Sequence, residues 1–195
     1  MANKITANSQ ESGILYHFTS RYHLPLILHD GFLKLTESNL REPLPGEKIA
    51  NVFDSNDLYK PVVWLSRTAD AKNCAVMSAG VDKSEILITL RERPHYQNWT
   101  IWSKDNRIKA SWAKRLTRAY NPNSWYVSEA VIPLTSDEVI KIENAKTAEI
   151  YIDVEAGKRS CSFTLEKPPS APIDVYEAMI GGRGLNEGDV VGFKL

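Results

Sequence analysis

Short apolar runs separated by turn residues recur along the chain and predict an alternation of strands and short helices. Residues 14–18 are apolar and aromatic, which favours a strand. Apolar residues then recur at helical spacing over 24–28, and Gly31 is a natural residue to end that helix. Thr19 and Ser20 precede the helix as candidate N-caps.

The same pattern continues toward the middle of the chain. Residues 36–60 show no sustained period and contain Pro43, Pro45 and Gly46, which predicts a long loop. Apolar runs on either side of this loop predict further strands, and the second of these runs is followed by a short helix at 68–77. The predicted strands lie at 32–35, 61–66, 86–90, 125–134 and 139–142.

The pattern of apolar and turn residues changes after residue 145. Two strands at 150–154 and 162–165 flank a turn around Gly157, which predicts a hairpin. A short helix at 174–180 and a strand at 190–193 follow. Short strands interleaved with few helices indicate an α+β fold. We therefore predict a main domain over 1–145 and a β-rich extension over 146–195 packed on it.

Composition narrows the class of protein. The chain has 195 residues, 43% of them hydrophobic, and equal numbers of basic and acidic residues, 24 each. A net charge of zero means that any nucleic-acid footprint must be local. The first residues contain no apolar signal core and no run approaches the roughly 20 apolar residues of a membrane span, so a soluble cytoplasmic protein is expected.

Cysteine usage predicts no special chemistry. Cys74 and Cys161 are far apart and have no metal-ligand spacing, so we expect two idle thiols and no metal site. A reducing compartment fits this usage better than secretion.

Candidate chemistry lies at the ends of three predicted strands: Tyr16-His17-Phe18-Thr19, then Trp64-Leu65-Ser66-Arg67, then Ser128-Glu129. In this order the chain resembles the ADP-ribosyltransferase superfamily over residues 13–143. It is most similar to the nucleic-acid-modifying branch, whose DNA-modifying toxins carry a similar Tyr-His-Phe-Thr opening. RNA-modifying phage-defence toxins are a related possibility. The resemblance implies a split mixed or antiparallel sheet core with short helices, which leaves the C-terminal residues as a small β-rich extension.

The resemblance also implies a site for NAD, which these enzymes use as a substrate without a metal. His17 would hydrogen-bond a ribose hydroxyl, and the backbone at Phe18 would pair with the nicotinamide carboxamide. Trp64 would lie against the nicotinamide ring. Thr19 and Ser66, beside these residues, would complete the binding site.

Three residues would then carry the catalysis: His17, Arg67 and Glu129. Glu129 would bind the 2′-hydroxyl of the nicotinamide ribose and stabilise the positive charge that develops when the nicotinamide–ribose bond breaks. Arg67 would meet the pyrophosphate or the acceptor, because its fork of donors fits phosphate oxygens. Val127 stands where the arginine-modifying branch has Glu or Gln, which argues against protein arginine as the acceptor. Trp64 stands where poly(ADP-ribose) polymerases have Tyr.

Alternation gives an independent expectation for Glu129. Val127 and Val131 share its face of the predicted strand, and both are apolar. Glu129 is therefore expected on a buried face, where a carboxylate needs a partner.

A basic segment precedes the last of these strands. It carries six basic residues against Asp105, with Trp102 and Trp112 among them. Interleaved basic and aromatic side chains suit a single-stranded nucleic acid, although most charge runs are solvated faces. The residues predicted to contact nucleic acid are Lys104, Arg107, Lys109, Lys114, Arg115, Arg118 and Trp125.

Three functions remain open at this stage. The first is transfer of ADP-ribose from NAD to an RNA or single-stranded DNA base by a toxin or phage-defence effector, which a neutralising antitoxin protein would hold in check. The second is an RNA 2′-phosphotransferase on the same scaffold. Such enzymes use further Arg residues around the first helix, where this chain has only Arg21. The third is a non-catalytic module that docks to a nucleic acid or a protein.

Overall fold

The computed structural model describes residues 13–35, 61–71, 77–78, 81–108, 121–169 and 173–195. They form a mixed α+β fold with mostly antiparallel sheets and a few short helices. The loop predicted at 36–60 lies outside the described residues, as does most of the helix predicted at 68–77.

The helices are α1 (Leu24–Asp30), α2 (Trp99–Asp105) and α3 (Ile173–Gly181). The strands are β1 (Ile14–Thr19), β2 (Phe32–Leu33), β3 (Val63–Ser66), β4 (Met77–Ser78), β5 (Val81–Asp82), β6 (Ile86–Arg91), β7 (Gln97–Asn98), β8 (Trp125–Ser128), β9 (Ile132–Pro133), β10 (Val139–Asn144), β11 (Ile150–Asp153), β12 (Ser160–Thr164) and β13 (Val190–Lys194).

One seven-stranded sheet organises the fold, in the order β11-β10-β6-β1-β3-β8-β7. Each neighbouring pair in this sheet is antiparallel. Three two-stranded sheets complete the described structure, namely β2 with β9, β4 with β5, and β12 with β13. The strands predicted at 14–18, 32–35, 61–66, 86–90 and 139–142 are confirmed as β1, β2, β3, β6 and β10, with shifts of one or two residues at their ends.

The sheet is loosely joined between β1 and β3. β1 is in register with β6 along all six of its residues, but its register with β3 consists of the single pair Tyr16 and Ser66. Beyond that pair, the His17 side chain takes over the contact, because its Nδ1 lies 3.0 Å from the Trp64 carbonyl oxygen. Where the backbone pairing of β1 with β3 stops, this side-chain hydrogen bond continues the contact between the two strands.

The two faces of the sheet carry different cores. Alternation sends Leu15, Ile88 and Leu65 to one face, where aliphatic side chains pack under α1, α3 and β13. It sends Val127 and Trp125 to the other, where they pack with α2. We call these two sides the aliphatic face and the tryptophan face.

Local chemistry explains why α1 begins and ends where it does. The Ser20 hydroxyl accepts a hydrogen bond from the His23 amide at 3.2 Å, and Pro25 stands in the first turn, where its missing N–H costs nothing. Gly31 ends the helix at φ 75°, and its amide donates to the Ile27 carbonyl oxygen at 2.9 Å. The predicted helix and its glycine terminus are confirmed.

The predicted C-terminal hairpin is wrong in its pairing. Strands β11 and β12 form near the predicted positions, but they do not pair with each other; an isolated backbone bridge joins Asp153 and Lys158, and the Tyr151 and Phe163 rings are in contact. β11 instead extends the seven-stranded sheet beside β10, and β12 pairs with β13. The single strand predicted at 125–134 is likewise two strands, since β8 belongs to the large sheet and β9 pairs with β2.

The C-terminal residues share the aliphatic core with α1. Tyr176, Ile180 and Val191 are buried in the same cluster as the leucines of that helix. At its edge, the Arg183 guanidinium donates to both carboxylate oxygens of Asp30, at 2.9 and 2.8 Å. Burial opposes ionisation of Asp30, but hydrogen bonds from Arg183 and then Lys34 outweigh it and hold the pKa of this carboxyl well below 3.8.

We expect Arg183→Met to lower the free energy of unfolding at neutral pH by about 1–3 kcal/mol, because it leaves a charged, mostly buried carboxylate without its two-pronged donor. Lys34→Met is the matched control. The Lys34 side chain is 49% exposed against 18% for Arg183, so its loss should cost under about 1 kcal/mol. Denaturant unfolding measures both. The difference should shrink as the pH falls below 3.8, and equal losses in the two variants would contradict this role for Arg183.

Candidate active site at one end of the sheet

The strand directions bring two of the predicted residues to the same end of the sheet. β1 and β8 both run antiparallel to β3, so they run parallel to each other and finish at the same end. His17 lies two residues before the last residue of β1, and Glu129 directly follows β8. One strand separates them, a lateral distance of about 10 Å at ordinary strand spacing.

His17 is held as a neutral ring. The partner of its Nδ1 is a carbonyl oxygen, which can only accept, so Nδ1 carries the proton and Nε2 keeps a lone pair. Burial lowers the pKa of His17 to about 4; the bond to Trp64 opposes this shift and the charge of Lys83 adds to it. The ring can therefore accept a hydrogen bond at Nε2 from a hydroxyl group at neutral pH.

Lys83 lies within electrostatic reach of both His17 and His23. Lys83 stands in the turn between β5 and β6, next to the end of β1 because Thr19 pairs with Ile86. Burial lowers the pKa of Lys83, and burial together with the Lys83 charge lowers the pKa of His23. The sequence did not predict that Lys83 would lie near these two histidines, because only strand pairing brings it there.

Trp64 lies on the opposite, tryptophan face, where it is half-buried. Its ring centroid lies 4.9 Å from that of Trp99 and 5.9 Å from that of Trp125. Trp99 in turn lies 5.5 Å from Trp102, with the two rings tilted by 30°. The four indoles form one cluster, within which Trp64 is the most exposed ring.

Helix α2, which supplies two of these rings, was missed in the sequence because Trp, Thr and Ile favour strands. The usable signal was Asn98, whose side chain accepts a hydrogen bond from the Thr100 amide at 2.9 Å and begins the helix. Trp99 and Trp102 then follow at a spacing of three, which puts both on one helix face.

The expectation that Glu129 lies on a buried strand face is wrong. β8 ends at Ser128, whose buried hydroxyl donates to the Ala130 carbonyl oxygen at 2.7 Å and accepts from the Ala130 amide at 3.2 Å. These hydrogen bonds end the strand and leave Glu129 exposed, although it stays on the Val127 side of the sheet. Its carboxylate Oε1 accepts a hydrogen bond from Trp102 Nε1 at 2.7 Å.

The structure does not bring Arg67 or Ser66 to this end. β3 is antiparallel to its neighbours, so its last residues emerge at the opposite end of the sheet. There Arg67 forms a two-pronged ion pair with Glu92 and lies over the Tyr126 ring at 4.6 Å. The Ser66 hydroxyl is buried and bonds the backbone of Thr68.

The remaining residues of the opening motif flank His17 on β1. Phe18 is half-buried and points to the tryptophan face, since alternation sets it opposite His17. Thr19 is buried and follows on the His17 side. The structure therefore gathers His17, Trp64 and Glu129 at or near one sheet end, with the imidazole and the carboxylate on different faces and not in contact.

The predicted nucleic-acid residues are only partly described. Lys104 and Arg107 are exposed at the C-terminal end of α2. Trp125, expected on the surface, is buried instead, because its ring packs edge-on against Trp64. Residues 109–120, which hold Lys109, Lys114, Arg115 and Arg118, lie outside the described residues.

Three further features concern the part of the chain that the structure describes. It holds no group of three or more His, Cys, Asp or Glu side chains placed to bind a metal ion. Cys161 is half-buried, which raises the pKa of its thiol to about 11, and Cys74 is not among the described residues. None of the described helices is long and apolar enough to cross a membrane.

No protein family, curated protein or solved structure matches this chain. The case for a function therefore rests on the residues and contacts described above.

The neutral His17 gives the protein a measurable acid sensitivity. An unfolded chain takes up a proton at this residue below pH 6.5, whereas the folded ring stays neutral down to about pH 4. The stability that depends on this ring is thus complete above pH 6.5 and is lost as the pH falls to about 4. Relative to His17→Asn, the wild type should lose about 2–3 kcal/mol of unfolding free energy across this window.

Denaturant unfolding at closely spaced pH values measures this loss. His95→Asn, which replaces an exposed histidine, is the control and should keep the wild-type profile. A His17→Asn variant with the same profile as the wild type would show that the folded ring is not held neutral.

Proposed function

We propose that the protein is an NAD-dependent ADP-ribosyltransferase with an ADP-ribosyltransferase-like sheet core. One observation carries the proposal. Three strands that are far apart in the sequence, β1, β3 and β8, lie side by side and put His17, Trp64 and Glu129 around one end of the sheet. These are the residues that the resemblance assigns to the ribose, the nicotinamide and the reacting centre.

The described groups suit the parts of a dinucleotide. The half-exposed Trp64 ring offers an aromatic surface for the flat nicotinamide, on the same face as the Glu129 carboxylate. Nε2 of His17 can accept from a ribose hydroxyl on the other face. We infer that the ligand passes from one face to the other at this end, where β1 and β3 are barely paired, and that its phosphates lie toward Lys83 and His23.

In this reaction the protein supplies a stabilising charge and holds the reacting groups in position. The bond between the ribose C1′ and the nicotinamide nitrogen breaks, and its electron pair leaves with nicotinamide. A nitrogen or oxygen of the acceptor forms the new bond to C1′ and loses its proton. Glu129 stabilises the positive charge that builds up on the ribose during this exchange. Its exposed position leaves room for a large acceptor.

A nucleic acid is the acceptor that we favour. Lys104 stands exposed in α2, the helix whose Trp102 contacts Glu129, and Arg107 is exposed just after this helix ends at Asp105. We infer that these two basic side chains form a local footprint on an otherwise neutral protein. Modification of DNA or RNA would be toxic to a cell, so a neutralising partner protein belongs to the same proposal.

One observation favours a second candidate. Lys83, which lies within electrostatic reach of His17 and His23, could pair with the 2′-phosphate of an RNA, as the NAD-dependent 2′-phosphotransferases require. Consumption of a 2′-phosphorylated RNA would identify that activity. A pure docking module would give no heat of NAD binding in calorimetry.

The direct test replaces the carboxylate. Glu129→Gln keeps the size of the side chain and removes its charge, and we expect transfer of label from radiolabelled NAD to nucleic acid to fall at least about a hundredfold. Incubation of the enzyme with separate DNA, RNA and protein pools shows which acceptor retains the label.

Glu155→Gln is the matched control, since Glu155 is an exposed carboxylate beyond β11, at the far edge of the sheet. It should keep wild-type transfer. Full transfer by Glu129→Gln, or no label in any pool with the wild type, would overturn the assignment.

A further inference from the structure

The carboxylate at the proposed site accepts a hydrogen bond from Trp102, a residue that the sequence analysis noted only as part of the basic segment. Trp102 is fully buried, yet its Nε1 donates a hydrogen bond to Oε1 of the exposed Glu129 at 2.7 Å. A buried indole N–H needs an acceptor, so this bond also satisfies Trp102. One end of the contact is fixed in the core and the other reaches the surface.

Trp102 itself is firmly placed. Its ring packs on Trp99, and its backbone carbonyl oxygen accepts from the Asn106 side chain at 3.0 Å. Trp99 continues the contact to Trp64, whose centroid is 4.9 Å away. A continuous row of three indoles thus runs from the Glu129 carboxylate to the half-exposed ring proposed to meet the nicotinamide.

Glu129 needs such support because of where it lies. It is exposed on a bend outside the strand, where holding a glutamate side chain in one rotamer costs conformational entropy. A charge stabilises a reacting centre best when its position is fixed before the reaction begins. A hydrogen bond from a buried, immobile donor provides that fixation.

We propose that Trp102 is a positioning residue that orients the Glu129 carboxylate relative to the Trp64 ring. This inference rests on the proposed function, because it assigns Trp102 a part in the same reaction. Trp102 acts only through Glu129. This role explains Trp102, which the sequence analysis noted only as an aromatic residue within the basic segment.

The test is Trp102→Phe, which keeps an aromatic ring in the cluster and removes the donor. We expect kcat for ADP-ribose transfer to fall about ten- to a hundredfold, the value of a hydrogen bond to a charged group, while the Kd for NAD from calorimetry changes less. Tyr176→Phe is the control, since it removes a polar atom from a buried aromatic ring in the aliphatic core, away from the four indoles. Its kcat should stay within about threefold of the wild type.

A second measurement does not depend on activity. The indole N–H resonances of the five tryptophans can be followed by NMR, and the signal missing in Trp102→Phe identifies Trp102. In Glu129→Ala, which alters an exposed side chain, that signal should move further than the other indole signals. An unmoved Trp102 signal, or equal losses of kcat in Tyr176→Phe and Trp102→Phe, would overturn the positioning role.

The two proposals fail in different ways. If the Trp102 signal moves but the wild type transfers no ADP-ribose to any pool, the hydrogen bond stands and the proposed function falls, together with any catalytic meaning of the bond. If the wild type transfers label and Trp102→Phe transfers it at an unchanged rate, the function stands and the positioning role falls.

Discussion

Antiparallel pairing of β1, β3 and β8 is the constraint that decides which side chains can share a site. Two strands that flank a common antiparallel neighbour finish at the same end of the sheet, so β1 and β8 deliver His17 and Glu129 there. The strand between them starts at that end and carries Arg67 to the other, where Glu92 neutralises it. The grouping of His17, Trp64 and Glu129 follows from strand direction, and so does the exclusion of Arg67.

The sheet also divides the molecule into two sides with different physical properties. The aliphatic face joins α1, α3 and β13 in one large core, which supplies most of the apolar burial. The tryptophan face is a smaller cluster in which large rings lock one another in place. Its rigidity suits it to hold polar groups at its rim, and the Glu129 carboxylate is bound there.

The sequence predicted those parts of the fold that are fixed locally. β1 and α1 follow from an apolar run, a turn closed by the Ser20 hydroxyl and a glycine terminus that all lie within eighteen residues of one another. The partners of β11 and β12 depend on distant strands, and no feature of the turn at Gly157 reveals that they separate. Glu129 is exposed and not buried because the strand ends at Ser128, whose hydroxyl bonds the backbone of Ala130, and strand periodicity gives no sign of that bond. Lys83 comes near His17 and His23 only after the strands have paired, so sequence spacing could not reveal this group.

The concentration of tryptophan on one side affects how the protein can be observed. Four of its five tryptophans belong to the cluster beside Glu129, and the aliphatic core contains none of these four. Intrinsic fluorescence therefore reports mainly on the side of the sheet that bears the proposed site. Emission excited in the indole band would follow a ligand settling on Trp64, whereas loosening of the helices on the other side would be seen by circular dichroism.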